Sequence, residues 1–218
     1  FLHSQGVQMM GDAGRVLAEA QGLPSVAVAR GGRLCGLILL EEEVRPEAFE
    51  ALQSLRKSGI SLGLLSGDSP ERSRRLADRL GIPDGGAGLT PEQKAQALRA
   101  YGEPAAMVGD GINDATALAE AQLGIALGQG AELARSAAAV TLLREDLRAV
   151  PWMLGAARAV RAVVRENLIW AFGYNLAVLP LALSGRLEPW AAAALMAGSD
   201  LVVLVNALTL PWRVPGWK

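Results

Sequence analysis

The sequence is poor in the residues that build soft-metal cages and cross-links. Among 218 residues there is one cysteine, Cys35, and one histidine, His3. A single thiol excludes an internal disulfide framework and a multi-thiolate metal centre. Cys35 lies in the apolar run RLCGLILL and reads as a core residue, since free cysteine is among the most buried side chains. Charge of one sign is lacking too, because 21 Lys and Arg stand against 22 Asp and Glu for a net charge of −1. Without a basic footprint, nucleic acid is set aside as a partner. The N-terminus has no charged-then-apolar signal layout. It does not open on methionine, so a fragment or a processed piece is expected. No internal repeat or low-complexity segment is present.

What the chain does have is apolar residues, 51% of the total, distributed unevenly. Up to about residue 165, charged residues recur every few positions. Beyond it lie two apolar stretches, 167–183 and 190–210, about 17 and 21 residues long and joined by SGRLEP. Those lengths suit helices that cross a bilayer. Arg158, Arg161 and Arg165 precede the first stretch, and Arg213 and Lys218 follow the second. The positive-inside rule then places both ends in the cytoplasm, with Trp170, Trp190 and Trp212 as interfacial anchors. The competing reading is a buried hairpin of a larger soluble protein.

Residues 44–150 alternate strand and helix. VRPEAFEALQSLRKSG, SPERSRRLADRLG and TPEQKAQALRAYG read as helices, the last capped by Thr90 with Pro91 in its first turn. ISLGLLSGDS reads as a buried strand, as do AAMVGDG and LGIALGQG, with helices over INDATALAEA and AELARSAA. Such alternation indicates a parallel sheet, whose ligands gather at the carboxyl ends of its strands. Upstream, SVAVARGGRLCGLILL reads as an antiparallel hairpin turning at RGGR.

Three polar groups fall at those strand ends or just beyond them. Ser66-Gly67-Asp68 offers a hydroxyl and backbone amides for a phosphate. Lys94 offers a point charge for phosphate oxygens. Asp110, Asn113 and Asp114 crowd oxygens that, without nearby histidine or cysteine, favour magnesium over zinc. A magnesium ion, a lysine and a hydroxyl around one point are the equipment of phosphoryl transfer.

In this arrangement MVGDGINDATALAEAQLGIALGQG resembles the hinge motif of P-type ATPases, membrane pumps of the haloacid-dehalogenase-like superfamily, with Thr116 in place of the usual proline. LSGDS is similar to the family's T-G-D segment, TPEQK to its P-x-x-K, and EEEVRPEA to the heavy-metal branch's D-x-x-R-P-E-A. The resemblance implies an α/β fold, a haloacid-dehalogenase-like parallel Rossmannoid sheet followed by an α-helical transmembrane hairpin. It implies that Asp110 and Asp114 bind magnesium, that Ser66, Gly67, Asp68 and Lys94 hold the phosphoryl group, and that Asn113 supports the site. It also implies a nucleophile strand, D-K-T-G-T, which does not occur here. His3 is not followed by proline, so it is an ordinary polar residue and no mark of the nucleotide domain. On this pattern 1–40 is the tail of a nucleotide-binding domain, 41–150 an incomplete phosphorylation domain, and 151–218 a linker helix with two membrane helices.

The same resemblance bears on the cargo. NLIWAFGYNLAVLP is similar to the copper branch, which places Tyr-Asn here, and Met196 stands where that branch carries methionine. Tyr174, Asn175, Met196, Ser199 and Asp200 are therefore the expected residues for a transported Cu(I), or Ag(I) by the same softness. Asp200 stands where the branch has serine, and it either alters ion choice, binds a proton or sodium, or pairs with an arginine. Thr209 replaces the arginine of N-A-L-R-L. The expected partners are the remaining N-terminal portion of the pump, which holds most of the ATP site, a bacterial plasma membrane and a copper chaperone. A membrane-tethered phosphatase and a non-catalytic accessory or remnant are the alternatives.

Overall fold

A computed structural model describes residues 25–40, 43–101, 104–109, 112–128, 136–214 and 216. The chain divides into two compact units between Leu147 and Arg148.

The first unit opens with β1 (Ser25–Arg30) and β2 (Arg33–Leu39), an antiparallel pair in which Arg30 stands opposite Arg33. Gly31 and Gly32 form the two-residue turn at φ of 58° and 75°, the positive values that a tight hairpin of matching twist requires. Cys35 is exposed on this ribbon rather than buried in a core. A two-stranded ribbon has two faces, and Val26, Val28, Ile38 and Leu39 are exposed with it.

Helices and parallel strands then alternate. The helix α1 (Pro46–Lys57) starts on a proline and ends at Ser58. Strand β3 (Leu64–Leu65) leads to α2 (Pro70–Leu80), which Gly81 closes in the left-handed conformation. Strand β4 (Asp84–Gly86) precedes α3 (Pro91–Ala100), and β5 (Ala106–Gly109) leads through a 3-10 turn at Ile112–Asp114 into α4 (Ala115–Glu120). β6 (Leu123–Leu127) and β7 (Val140–Leu142) follow. The expected helix over AELARSAA falls largely outside the described residues.

All pairings after the hairpin are parallel, but they form two sheets, β3–β4 and β5–β6–β7. The core lies under the second, where Ala95, Leu98, Met107, Ala117, Leu118 and Ala126 pack together with Leu65 against them. The buried strand expected over ISLGLL is cut to two half-buried residues. Among the described residues strand β3 has a hydrogen-bonded neighbour on one side only, and a strand holds its extended form through its ladder.

The second unit is helical. Helix α5 (Ala149–Leu183) runs unbroken for 35 residues, so the apolar stretch 167–183 is the second half of a helix whose first half bears Arg158, Arg161 and Arg165. Helix α6 (Pro189–Leu208) follows, and Thr209 caps it before a short turn of helix, α7 (Leu210–Arg213). Among the described residues one helical segment, Pro189–Arg213, is long and apolar enough by composition to cross a membrane. No residue of α6 is buried, and Phe172, Leu176 and Leu183 on α5 are 73%, 76% and 80% exposed.

Candidate functional site

Three pieces of the first unit converge at the carboxyl ends of its strands. The turn after β3 is pinned by backbone bonds: the Ser66 N–H donates to the Gly86 carbonyl at 2.9 Å, Leu89 N–H to Ser66 at 3.0 Å, and Gly88 N–H to Asp68 at 2.7 Å. The Ser66 hydroxyl accepts from the Asp68 N–H at 3.1 Å, a short-range turn bond typical of serine. Asp68 in turn holds Arg72, one helical turn on, at 3.2 Å. Sequence reading did not single out Arg72, although its i, i+4 spacing from Asp68 was the available signal.

The second piece is the start of α3. Gln93 N–H donates to Thr90 Oγ1 at 3.3 Å, and Thr90 N–H donates to Gln93 Oε1 at 2.8 Å, so the two residues form a reciprocal capping box. The Thr90 hydroxyl also donates to Glu92 at 2.9 Å. The Glu92 carboxyl is held below its ordinary value chiefly by a bond from its own backbone N–H, then by that hydroxyl. This rigid first turn presents Lys94.

The third piece follows β5. Lys94 Nζ donates to Asp114 Oδ1 at 2.8 Å, with the two side chains only 11% and 14% exposed. Gly109 makes that approach possible, because a Cβ there would stand 2.8 Å from both Cβ and Oδ2 of Asp114. Asn113 lies beside it on the 3-10 turn. Asp110, the expected metal ligand, lies outside the described residues.

Between these pieces opens a cavity of about 460 Å³, lined by Leu64, Leu65, Ser66, Gly67, Asp68, Leu89, Pro91, Lys94 and Asn113. Five of the expected residues thus share one cavity, and Asp114 is tied to it through Lys94. The apolar contributions of Leu64, Leu65 and Leu89 were not foreseen. Chemically the site offers an ammonium, a hydroxyl and turn amides to an anion. Beside them are the carboxylate and amide oxygens of Asp114 and Asn113.

The expected ion residues lie on the second unit and are not gathered in the same way. Ser199 accepts a hydrogen bond from Trp170 Nε1 at 3.1 Å. Tyr174 is half-buried, whereas Asn175, Met196 and Asp200 are exposed on the helix pair. Among the described residues no three His, Cys, Asp or Glu side chains form a group able to hold a metal.

Residues 6–122 match the family of haloacid dehalogenase-like hydrolases, and the chain belongs to that family. Its relatives narrow the comparison. The chain is 43% identical to a copper-exporting P-type ATPase of Mycobacterium tuberculosis over 201 residues, 91% of this chain and 26% of that protein. It is 40% identical to a copper-exporting P-type ATPase of Staphylococcus aureus (strain JH9) over 195 residues, 88% of this chain and 24% of that protein. A solved zinc-transporting PIB-type ATPase in the E2.Pi state matches with a TM-score of 0.76 at 35% identity, covering 92% of this chain and 34% of that one. The chain therefore spans about a quarter of the length of these curated relatives. The fold is the α/β, haloacid-dehalogenase-like arrangement of parallel strands and helices.

Proposed function

We propose that this chain is the C-terminal part of an ATP-driven pump for a heavy-metal cation, Cu(I) or Ag(I), that works through a magnesium-dependent aspartyl-phosphate intermediate. The observation that carries this reading is the convergence of Ser66, Gly67, Asp68, Lys94 and Asn113 on one cavity, with Lys94 bonded to Asp114. In it, Lys94 and the Ser66 hydroxyl hold phosphoryl oxygens, the 66–68 turn presents its amides, and Asn113 steadies the loop. The oxygen donors of Asp114 and Asn113, with no thiol or imidazole among the cavity residues, fit magnesium. Asp110 and Asp114 would hold it, and it would supply charge neutralisation for the transferred group.

The nucleophile in this reading comes from a strand outside the sequence. The split between β3–β4 and β5–β6–β7 supports it, since apolar β3 keeps one edge without a partner among the described strands, beside the cavity. We assign 1–40 to the tail of a nucleotide-binding domain, 41–150 to the phosphorylation domain and 151–218 to the membrane portion. The exposed apolar side chains of the helix pair support a bilayer around them, with both ends cytoplasmic. The other partners would be the N-terminal portion of the pump, which carries most of the ATP site, and a copper chaperone.

The test is a chimera joining the N-terminal three-quarters of the Mycobacterium tuberculosis relative to this chain. Cu(I) and Ag(I) are expected to stimulate its ATPase activity, and Asp200→Ser to change the ratio between monovalent and divalent ions. A membrane-inserted chimera that no soft cation stimulates would overturn the reading.

A further inference from the structure

The helix pair carries a polar network that no role above uses. Glu166 and Asn167 stand where the arginine-bearing half of α5 gives way to its apolar half. A carboxylate at the edge of hydrocarbon is costly unless it is paired. Arg213 pairs it, Nη1 donating to both Glu166 oxygens at 2.8 Å. Its Nη2 donates to Asn206 Oδ1 at 3.0 Å. The Asn206 amide nitrogen then donates to Glu166 Oε2 at 3.1 Å and to Asn167 Oδ1 at 2.9 Å. Both N–H donors of the Asn206 amide group and its oxygen are engaged in this clasp.

The chain reaches this geometry by breaking α6. Thr209 Oγ1 donates to the Asn206 carbonyl at 2.7 Å, and Pro211 lacks the N–H that would continue the α6 ladder. The short α7 that results brings Arg213 back over Asn206. A second tie, Trp170 to Ser199, joins the same two helices farther along. Tyr174 lies one turn beyond Trp170 on α5, and Met196 lies about one turn before Ser199 on α6. In an antiparallel pair those two positions are level.

We propose that Glu166, Asn206 and Arg213 are positioning residues whose clasp sets the axial register of α5 against α6 and so holds Tyr174 level with Met196. The inference rests on the ion-site reading above, in which both residues face the cargo. A slip of one turn, about 5.4 Å, separates them. Asn175 and Asp200 are exposed beside them, so the clasp fixes the level at which this pair offers its donors to further helices.

The test uses the full chain in lipid nanodiscs, with Cys35→Ser and the pair Tyr174→Cys and Met196→Cys. Cross-linking by a short bis-methanethiosulfonate reagent is followed on gels. Arg213→Ala is expected to slow cross-linking about fivefold, the scale of a lost, partly exposed ion pair. The swap Glu166→Arg with Arg213→Glu is expected to restore it. An unchanged rate in Arg213→Ala overturns the proposal. A swap that fails to rescue also overturns it, because the loss is then one of folding. The readout needs no ion, so its failure is separate from a failure of Cu(I) to stimulate the chimera.

Discussion

At the scale of single residues, the site depends on what is absent at position 109. The Lys94–Asp114 pair is mostly shielded from water, and breaking such a pair strands the remaining charge. Asp114→Ala is expected to cost about 3 kcal/mol locally, read as lost hydrogen-exchange protection in α3 and α4. The double variant Lys94→Met with Asp114→Leu is expected to recover part of that loss, because no lone charge is left. Gly109→Ala should reproduce the single-variant loss without removing either charge, since its methyl group would push Asp114 off Lys94. Ser66 to Asp68 and Asn113 to Asp114 could be picked out in the sequence because they follow apolar runs, where a parallel sheet collects its ligands, and Lys94 because it follows a capped helix start. The part played by Gly109 was not legible, because a glycine before an aspartate reads equally well as a turn. Cys35 was misread for a related reason. Its apolar neighbours suggested a core, whereas a two-stranded ribbon exposes both faces.

At the scale of elements, helices were easier to read than strands because their ends carry local chemistry. Thr90, Pro91 and Gln93 announce α3, and the structure closes the capping box that they spell. Thr90→Ala is expected to weaken the first turn of α3 by about 1 kcal/mol. It should also raise the Glu92 carboxyl toward its ordinary 4.5, because the hydroxyl that helps to lower it is gone. The sign for stability follows from that direction. A carboxyl lowered by folding stabilises the fold above its unfolded value, and that contribution is lost as pH falls through the folded one. NMR titration of Glu92 in the parent and the variant checks both points. Strands depend on partners that lie far off in sequence. DGG at β4 reads as a turn and becomes a strand only because Leu64 and Leu65 pair with it. Its Gly85 lies against the Tyr101 ring, a contact that no local pattern discloses. Conversely, β3 is only two residues long, and among the described strands it pairs with β4 alone.

At the scale of the whole molecule, two units divide the work that the sequence assigned to its polar and apolar halves. The change of composition near residue 165 was visible and falls inside α5, which carries its arginines and its apolar stretch on one helix, whereas the two units divide between Leu147 and Arg148. If the nucleophile belongs to a strand beyond this sequence, the chain by itself takes up no phosphate from labelled ATP with magnesium. Acid-stable incorporation into the 218-residue chain would contradict that. Adding the complementary N-terminal portion is expected to restore incorporation, and Lys94→Met to reduce it by at least about tenfold.

The unbroken length of α5 has a mechanical consequence. Thirty-five residues make a rod about 52 Å long, whereas the hydrocarbon of a bilayer is about 30 Å thick. If the apolar half, 167–183, is embedded, residues 149–166 leave roughly 27 Å of helix outside the hydrocarbon, beginning next to Arg148 where the second unit starts. A helix resists twisting far better than a loop does. Torque applied at Ala149 would then reach Tyr174 as rotation, and the clasp proposed at Glu166 would share it with α6.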